Sequence, residues 1–590
     1  MKKRSQIDNR YKWDTTHIYA TEDELNKDIE YIKNKIKEVE SYKGKLNNKK
    51  DILDFYTLCD SINKIEEKAF AYVYLNHSEN LETQKYVQLT NILESINSQL
   101  SVASSFEESE MLANGEEFLE SLLKDNDFKN YHLGIKELIR NSKHVLTEAE
   151  ETIISKAGSF MGGFSNVFDN IDALDVKFND FEVAGKKYKV NNSNIGLLLE
   201  NKDSRVRENA FKNLHNGYMN LQNTISTNYI ESVKTDKFLA DVYKYGGCLD
   251  VALNGDNLPS EVYTNLIKQV NNNTKYLHEY LRLRKKALKL SILKYSDLRV
   301  SIVDYSKKYT YDEMCETMYN ALQPMGEEYL RVVKEAVNNR WIDVYPTEGK
   351  DTGGYCLGVY GTHPYIMLNT VDNQDSMFTL AHEMGHAMHS YLSDKHQPHE
   401  LSDYPIFLAE IASTTNEVLL IKYLYANAKS KKEKIYLLDK YISMFRTTIF
   451  RQTMFAEFEH FAHVKAENNE PLSKEVLVKE YERLNKVYHG SAVKPCKEIN
   501  YEWLRIPHFY RAYYVYKYAT GLTSAICIAS RILKGEDVDK YITFLSSGGS
   551  DYPHEILKKI NIDLTTSTPY EIAFGEMKWA INELKKVISN

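Results

Sequence analysis

Glycine and proline, the residues that most often interrupt regular structure, are scarce in this sequence. The 590 residues include 25 glycines and 11 prolines, which is about half their average combined usage. This scarcity excludes a collagen-like chain and argues against a turn-rich all-β fold or long disordered linkers. Together with a mean hydropathy of -0.50, the composition predicts a mainly α-helical protein.

Other absences exclude whole classes of partner. No run of about 18 apolar residues occurs, so the sequence predicts no membrane-spanning helix. The 75 basic residues are outnumbered by 83 acidic ones and form no basic stripe, which argues against a nucleic-acid partner. The basic residues at the start are not followed by the apolar stretch of a signal peptide. The six cysteines are scattered without a CxxC pair, which is typical of reduced thiols in a cytoplasmic protein.

The chain is too long for a single hydrophobic core, because cores stop growing at roughly 250–300 residues. We therefore expect two or more lobes with room for a cleft. Apolar residues spaced four and three apart from Leu25 to Val39 predict an amphipathic helix. Similar patterns predict helices at about 50–76, 82–125 and 146–157.

The pattern changes near residues 177–190, where apolar and polar residues alternate around an Ala-Gly pair. This alternation predicts a small β-hairpin. Helical periodicity then resumes and continues to about residue 340. We place a domain boundary just after the hairpin, which divides an N-terminal helical domain, residues 1–200, from a second domain, residues 201–590.

The strongest chemical signal is an H-E-x-x-H motif, in which His382 and His386 surround Glu383 on a helix predicted over 377–392. Residues four apart lie on one helix face, so both imidazoles can bind one metal ion. Two neutral histidines suit Zn²⁺, and a catalytic zinc takes three protein ligands and one water. The carboxylate of Glu383, next to the first ligand, can hold that water.

Glu410 is the predicted third ligand. It follows His386 by 24 residues on a second predicted helix, and an antiparallel return would bring it beside the histidines. Its apolar neighbours suggest a carboxylate in need of a charged partner or a metal ion. His389 is the alternative ligand, but three ligands from one straight helix give poor tetrahedral geometry, so we expect it to be a core or supporting histidine.

Residues 351–370, before that helix, differ from the rest of the chain. They contain four glycines and Cys356, followed by a short β-rich run, Pro364–Leu368. A glycine-rich loop before a strand allows another backbone to approach closely.

A second group of polar side chains lies in HFYRAYYVYKYATG, residues 508–521, with one histidine and five tyrosines within eleven residues. Helical spacing would place them on two faces: Phe509, Tyr513 and Tyr516 on one, and Tyr510 and Tyr514 on the other. Phenol and imidazole donors could stabilise an oxyanion at zinc, and an aromatic core stripe is the alternative. Spacing alone does not say which tyrosine would act.

Four motifs, in the order found here, resemble the oligoendopeptidase F family of thimet-oligopeptidase-like zinc metallopeptidases. They are GGYCLGVYGTHPYIMLN, HEMGHAMH, FLAEIASTTNE and HFYRAYYVYKYATG. RYKWDTTHIYATEDE near the start and LSSGGSDYPHEILKKINID at 545–563 are also similar, so the resemblance covers nearly the whole chain. It implies a mainly α-helical, two-lobed clamshell with a deep central channel, one zinc at its floor, and a small β element beside the zinc helix. Residues 1–200 would form a wall over the channel.

The resemblance also implies the site residues. The ligands of one Zn²⁺ per chain would be His382, His386 and Glu410, with Glu383 as the general base. The positions that contact the substrate or the transition state would be His508, Tyr513 and Tyr516, with Tyr510 and Tyr514 as further substrate contacts. The glycine-rich run and the strand at 363–369 would pair with the substrate backbone, with Gly361, His363 and Tyr365 as binding residues.

The sequence thus predicts a cytoplasmic zinc endopeptidase that cuts internal bonds of short unstructured peptides. A zinc-bound water would attack the carbonyl, Glu383 would take the proton and return it to the leaving amine, and a histidine or tyrosine would hold the oxyanion. Short peptides are the expected partners, and the oligomeric state stays open.

Two other functions are weighed against this one. A metallocarboxypeptidase would anchor the free C-terminal carboxylate of its substrate on a cationic residue, for which Arg451, Arg505 and Arg511 are available. A catalytically inactive helical peptide-binding protein would have lost the base or a zinc ligand. All four of those residues are present, so we disfavour this second alternative.

Overall fold

The protein is described by a computed structural model that covers residues 1–589. Its α-helices in chain order are α1 (Glu22–Glu40), α2 (Lys49–Glu79), α3 (Gln84–Ser104), α4 (Glu107–Ala113), α5 (Glu116–Leu122), α6 (His132–Asn141), α7 (Glu148–Met161), α8 (Gly163–Asn170), α9 (Ile195–Leu199), α10 (Ser204–Met219), α11 (Gln222–Val242), α12 (Cys248–Asn254), α13 (Ser260–Asn272), α14 (Thr274–Ala287), α15 (Tyr311–Ala321), α16 (Glu327–Asn338), α17 (Gln374–His396), α18 (Ile406–Asn427), α19 (Lys431–Met444), α20 (Arg451–Glu467), α21 (Lys474–His489), α22 (Tyr516–Ile532), α23 (Val538–Leu545), α24 (Pro553–Lys559) and α25 (Thr568–Ser589). The mainly helical prediction is therefore confirmed.

Short elements complete the description. The strands are β1 (Phe181–Val183), β2 (Lys186–Tyr188), β3 (Ile342–Asp343), β4 (Tyr355–Leu357) and β5 (Tyr365–Met367). Two segments are π-helical, Ile171–Asp175 and Phe445–Phe450. The 3₁₀ segments are Arg4–Gln6, Asn9–Tyr11, Thr15–His17, Asn126–Tyr131, Ser142–His144, Tyr295–Asp297, Gln323–Met325, His399–Leu401, Gly490–Ala492, Glu498–Arg505 and Pro507–Tyr510.

The helices of the first third follow the predicted pattern, with one correction. Helix α1 begins after Thr21, whose side chain accepts a hydrogen bond from the Glu24 amide, and its apolar stripe is largely buried. The helix predicted over 82–125 is instead three helices, α3, α4 and α5. Helix α5 begins after Gly115, whose φ of 83° lies in a region that other residues rarely adopt.

The hairpin predicted at 177–190 is present. Strands β1 and β2 pair antiparallel, with Val183 opposite Lys186. The turn between them consists of Ala184 and Gly185, both with positive φ, which is the conformation of a two-residue hairpin turn.

Two compact units divide the chain, and each is built from three separate segments. The first unit comprises Met1–Lys143, Ser306–Tyr423 and Ile528–Asn561. The second unit comprises His144–Tyr305, Leu424–Cys527 and Ile562–Asn590. A sequence-domain boundary near residue 200 is a different kind of division and stays a prediction.

In the first unit, helix α17 lies at the centre of the packing. It contacts α15, α16, α23 and the strands β4 and β5. The strands form a three-stranded sheet in the order β3-β5-β4, with β5 parallel to β3 and antiparallel to β4. The predicted small β element beside the H-E-x-x-H helix is therefore present.

The second unit is almost entirely helical. Helix α20 contacts α11, α13 and α21, and α14 contacts α21 and α25. The π-helical segment Phe445–Phe450 joins α19 to α20 without a break. Within the described residues, none of the helices combines the length and apolar character needed to cross a membrane.

Candidate active site

Helix α17 places the two histidines of the H-E-x-x-H motif next to each other, as their spacing predicts. The ring centroids of His382 and His386 are 5.0 Å apart. Burial, and to a smaller extent the nearby His382, lowers the pKa of His386 to about 3. His386 is therefore neutral, which is the form of imidazole that binds a metal ion.

Helix α18 brings Glu410 to this pair. One donor atom from each of His382, His386 and Glu410 can be chosen so that the three lie within 4.8 Å of one another. The distance from His382 Nε2 to Glu410 Oε2 is 3.6 Å. The hydroxyl of Ser413 donates to the same carboxylate oxygen at 3.3 Å. Although the neighbours of Glu410 along the helix are apolar, the side chain itself is 32% exposed, so it is less buried than predicted.

The two helices can approach because residue 385 is glycine. A Cβ atom at this position would lie 2.5 Å from Ser413 Cα and 2.6 Å from the Ala412 carbonyl oxygen, which no side chain could tolerate. Below this crossing, the amide group of Asn416 donates to the Ala381 carbonyl at 3.1 Å. Gly385 and Asn416 thus fix α18 against α17, and with it the position of Glu410.

Glu417, a second acidic residue of α18 with no predicted role, contacts the histidine pair. Its Oε1 atom lies 2.5 Å from His382 Nδ1. A carboxylate on one ring nitrogen of a metal-binding histidine fixes the tautomer and the ring orientation, which leaves the other nitrogen for the metal. The available signal was spacing, because Glu417 follows Glu410 by seven residues, two helical turns on the same face.

Glu383 lies beside the ligand cluster and is 7% exposed. Burial raises the pKa of Glu383 to about 7; the nearby His382 opposes this shift, and Glu410 and Glu417 add to it. The glycine-rich loop passes close by, since a Cβ atom on Gly354 would lie 3.7 Å from Glu383 Oε1. A carboxyl group with a pKa near neutrality can both accept and donate a proton.

His389, the alternative ligand, lies in the core of the first unit. It is fully buried, and its ring stacks on that of Tyr404 with centroids 3.5 Å apart. Neither ring nitrogen has a hydrogen-bond partner among the described residues. Burial lowers the pKa of His389 to about 3, so it packs as a neutral aromatic ring.

The donor set of His382, His386 and Glu410 fits a divalent metal ion. Two imidazole nitrogens and one carboxylate oxygen form a set of three protein ligands, which is typical of a catalytic zinc site with one position open. His386 also fits a metal site, because no hydrogen bond from a described residue to its ring contributes to its pKa. A nitrogen lone pair of its ring is therefore available to coordinate a metal ion.

The predicted peptide-binding strand needs a correction. Both sides of β5 are paired, with β3 and with β4, so a peptide cannot add along Pro364–Leu368. Tyr365 is fully buried, and its hydroxyl donates to the Asp14 carbonyl at 3.1 Å. The two edge strands of this sheet are β3 and β4, and β4 follows directly on Gly354, which lies beside Glu383.

His363 and Gly361 lie just before β5. The His363 ring stacks on Trp341 with centroids 4.5 Å apart, and its Nε2 lies 2.8 Å from His17 Nδ1. Gly361 is exposed and has a φ of 82°, so it forms a turn that other residues would strain. A role of either residue in peptide binding stays a prediction.

Cys356, on β4, is not poised for reaction. Burial raises the pKa of its thiol well above the ordinary value, and the nearby Glu383 raises it further. A thiol in this state is a poor nucleophile.

The tyrosine-rich segment lies in the second unit, and its backbone is not the helix that the two-face prediction assumed. Pro507–Tyr510 is 3₁₀, and α22 begins only at Tyr516. Between them, Tyr513 has a φ of 56°. The predicted grouping by helical faces is therefore wrong.

Two of the predicted tyrosines are buried. Tyr513 and Tyr516 both pack edge-on against Tyr263, with centroids 5.4 and 5.3 Å away. The left-handed backbone of Tyr513 is held by Glu459, which accepts a hydrogen bond from its amide at 2.9 Å. The hydroxyl of Tyr513 lies 3.2 Å from His460 Nδ1.

A second, partly exposed group forms around His508. Its Nε2 lies 3.3 Å from the Tyr518 hydroxyl, and its ring centroid is 6.2 Å from that of Tyr514. Tyr510 is separate and packs on Phe168 at 4.9 Å. Burial, with the nearby Arg511, lowers the pKa of His508, so its imidazole is neutral near pH 7.

Family models and known proteins match nearly the whole chain. Residues 197–576 match the model of Peptidase family M3, and residues 110–178 match a model described as Oligopeptidase F. Oligopeptidase PepF of Bacillus subtilis is 38% identical, and the alignment covers 99% of this chain and 88% of that protein. Group B oligopeptidase PepB of Streptococcus agalactiae is 34% identical, with 99% and 98% covered. Among solved structures, oligoendopeptidase-F from Enterococcus faecium has a TM-score of 0.74 and 31% identity, with 96% and 99% covered.

Proposed function

Because this chain belongs to peptidase family M3 and is a metalloendopeptidase, we propose that it is a zinc-dependent oligoendopeptidase. Its substrates are short unstructured peptides in the cytoplasm, which it cuts at internal bonds. The observation that carries the proposal is the convergence of His382, His386 and Glu410 within 4.8 Å, with Glu383 beside them. A family name alone would not supply these four side chains in one place.

The proposed metal is one Zn²⁺ per chain, held by His382, His386 and Glu410. When bound, the ion supplies Lewis acidity, which polarises the scissile carbonyl and lowers the pKa of water. Glu417 supports this arrangement from behind, because its hydrogen bond at Nδ1 leaves Nε2 of His382 free to face the metal.

Glu383 is the proposed general base and acid. It accepts a proton from the attacking water and delivers that proton to the amine that leaves. Its surroundings support this role, since burial raises its pKa to about 7. A carboxylate with an ordinary pKa would be a weaker base for taking the proton from water.

Peptide positioning and oxyanion stabilisation are assigned to other side chains. His508, Tyr513 and Tyr516 are the proposed hydrogen-bond donors to the developing oxyanion, and Tyr510, Tyr514, Gly361 and His363 are the proposed peptide contacts. The edge strand β4 is the proposed pairing strand for an extended peptide, because β5 is paired on both sides. Strand addition uses the amide groups of the peptide, so only unstructured segments can bind in this way.

A digest of a defined peptide mixture with and without a chelator, followed by mass spectrometry, tests the proposal. We expect cleavage at internal bonds, loss of cleavage with the chelator and recovery with Zn²⁺. Peptides with blocked C-termini should be cut as fast as free ones. Cleavage confined to free C-termini would instead indicate a carboxypeptidase, and cleavage that survives complete metal removal would exclude the metal mechanism.

The size limit is tested separately. One cleavable sequence is embedded in peptides of increasing length, and the rate is expected to fall steeply toward long unfolded chains such as casein. The enclosing role predicted for residues 1–200 depends on this result. A rate that is the same for a short peptide and a full-length unfolded protein would contradict it.

A further inference from the structure

The second unit contains a pocket of about 330 Å³ that shares no residue with the candidate active site. Four arginines line it: Arg299, Arg446, Arg451 and Arg505. Among its described lining residues, Glu502 is the one carboxylate. In a protein with a net charge of -8, this concentration of positive charge in one concave site is unusual.

Glu502 is fully engaged by two of the arginines. Its Oε1 atom lies 2.5 Å from Arg451 Nη2 and 3.8 Å from Arg505 Nη1, and its Oε2 accepts a hydrogen bond from Tyr481 at 2.7 Å. Burial alone would raise the pKa of Glu502, but Arg451 and Arg505 outweigh it and lower that pKa to about 2. One carboxylate thus faces two guanidinium groups and can neutralise only one of the two positive charges.

Within residues 1–589, Arg446 forms no ion pair with a carboxylate. Its Nε atom is buried without a hydrogen-bond partner among the described residues. Asp439, the acidic residue whose charge acts on Arg446, is bound by Arg284 at 2.9 Å and by the Tyr280 hydroxyl at 2.6 Å. Burial and the positive charges of Arg284 and Arg299 lower the pKa of Arg446 to about 10, against the opposing effects of Tyr280 and Asp439.

The other charged and titratable groups do not cancel this excess. Arg299 is exposed as a residue, but partial desolvation of its guanidinium group, together with the charges of Arg451 and Arg505, lowers its pKa. His215 and His489 also line the pocket, but burial lowers the pKa of each to about 4, so both are neutral near pH 7. Four guanidinium charges are therefore opposed by one carboxylate within the lining.

The backbone that carries two of these arginines is not α-helical throughout. Arg446 lies in the π-helical segment Phe445–Phe450, and Arg451 follows it at the start of α20. Five residues apart in an α-helix, the two side chains would point about 140° away from each other. The wider π turn places both in the same pocket, and π segments inside α-helices occur frequently at functional sites.

We propose that this pocket binds a small phosphate-class anion with two or more negative charges, with Arg446 and Arg299 as its main hydrogen-bond donors. Guanidinium groups match phosphate oxygens in a bidentate geometry, and an excess of three positive charges favours a multivalent anion over a single carboxylate. The volume lies at the small end of ligand pockets, which suits free phosphate or a small phosphomonoester. The apolar part of the wall, which includes Phe211 and Leu214, can face an uncharged remainder.

Isothermal titration calorimetry with inorganic phosphate at fixed ionic strength tests the proposal. We expect one phosphate per chain, and an affinity at least about tenfold weaker in Arg446→Gln, the loss expected for one charge-assisted hydrogen bond. Arg282→Gln is the matched control, because Arg282 is an exposed arginine of the same unit outside the pocket; its affinity should equal that of the unchanged protein. Arg299→Gln, at an exposed position, should also weaken phosphate binding. It replaces Arg446→Gln as the test variant if Arg446→Gln does not fold.

Two further measurements identify the source of the anion and test whether phosphate binds at the proposed metal site instead of the pocket. Glycerol 3-phosphate that binds more tightly than phosphate would assign the pocket to phosphomonoesters, and the reverse order would assign it to free phosphate. Phosphate binding should persist in His386→Ala, which removes a proposed metal ligand.

The proposal is overturned if phosphate does not bind, if Arg446→Gln and Arg299→Gln bind it as well as Arg282→Gln does, or if His386→Ala abolishes binding. It is also overturned if only a peptide with a free C-terminal carboxylate binds, since the pocket would then be a subsite for peptide ends.

Discussion

The histidine–glutamate cluster of the first unit and the tyrosine group of the second unit illustrate two ways of holding polar side chains in place. In the first, His382, His386 and Glu410 project from two regular helices, so spacing along the chain predicts their meeting. In the second, the chain passes from a 3₁₀ segment through the left-handed residue Tyr513 into α22. Helical spacing fails there because the backbone is not helical.

Different contacts hold the two groups in position. The histidine–glutamate cluster depends on the close approach of two regular helices, α17 and α18, where a Cβ atom on Gly385 would meet Ser413. The backbone conformation of Tyr513 depends on Glu459, which lies 54 positions earlier in the sequence. Glu459 is fully buried and accepts a hydrogen bond from the Tyr513 amide. Periodicity carries information about the first arrangement and none about the second.

The largest effect is expected from Glu383→Gln. The change should reduce kcat by several orders of magnitude with little change in KM, because it removes a group that acts in the transition state. Zinc content, measured by elemental analysis, should stay at one per chain, since Glu383 is not a proposed ligand. A zinc-loaded variant that keeps substantial turnover would remove Glu383 from this role.

Glu410→Ala should lose most of its bound zinc, and activity with it, because a site with two protein ligands holds the metal much less firmly. His389→Ala is the matched control, since His389 is a core residue and its loss should reduce stability while zinc is retained. Zinc retention is followed by elemental analysis after dialysis. Full retention in Glu410→Ala with loss in His389→Ala would reverse the ligand assignment.

The tyrosine group is tested by single deletions of its hydrogen-bonding atoms. Among Tyr513→Phe, Tyr516→Phe and His508→Ala, at least one should lower kcat by about 10²–10³, the range for one oxyanion donor. Steady-state kinetics on one peptide provides the comparison. Near-normal kcat and kcat/KM in all three would mean that the group serves packing alone.

The smallest effect in this series is expected from Glu417→Gln. The metal ligands remain, but the amide holds the His382 ring less firmly, so zinc affinity should fall by about 10- to 100-fold. Competition with a chromophoric chelator measures this affinity. Glu335→Gln in the same unit is the control, because Glu335 contacts Arg331 and not the histidines. Equal affinities in the two variants would show that Glu417 does not support the site.

Much of the fold follows from the sequence because its determinants are local. The apolar stripe of α1, the Ala184-Gly185 turn and the four-residue spacing of the histidines each specify the structure within a few residues. The division of the helical region 82–125 does not follow from its periodicity, because the breaks at 105–106 and at 114–115 interrupt an otherwise continuous pattern. The π-helical segment Phe445–Phe450 could not be predicted either, because the spacing of its apolar residues does not distinguish it from an α-helix.

The parts of the site that the sequence left open depend on contacts between distant segments. The pairing of β5 on both sides comes from β3 and β4, and only their register shows that Pro364–Leu368 is closed to a peptide. The role of Glu417 was within reach, because it lies two turns after Glu410 on the same face. The exposure of Glu410 was not, since it depends on how α18 crosses α17.

Anomalous X-ray scattering at the zinc absorption edge, recorded on crystals of the zinc-loaded protein, tests the central claim most directly. The account predicts one strong peak per chain, in contact with the two imidazoles of His382 and His386 and with the carboxylate of Glu410. Glu417 should remain on Nδ1 of His382 and make no contact with the metal. A peak bound by Glu417 or His389, or a peak at any other place in the chain, would contradict the proposed site.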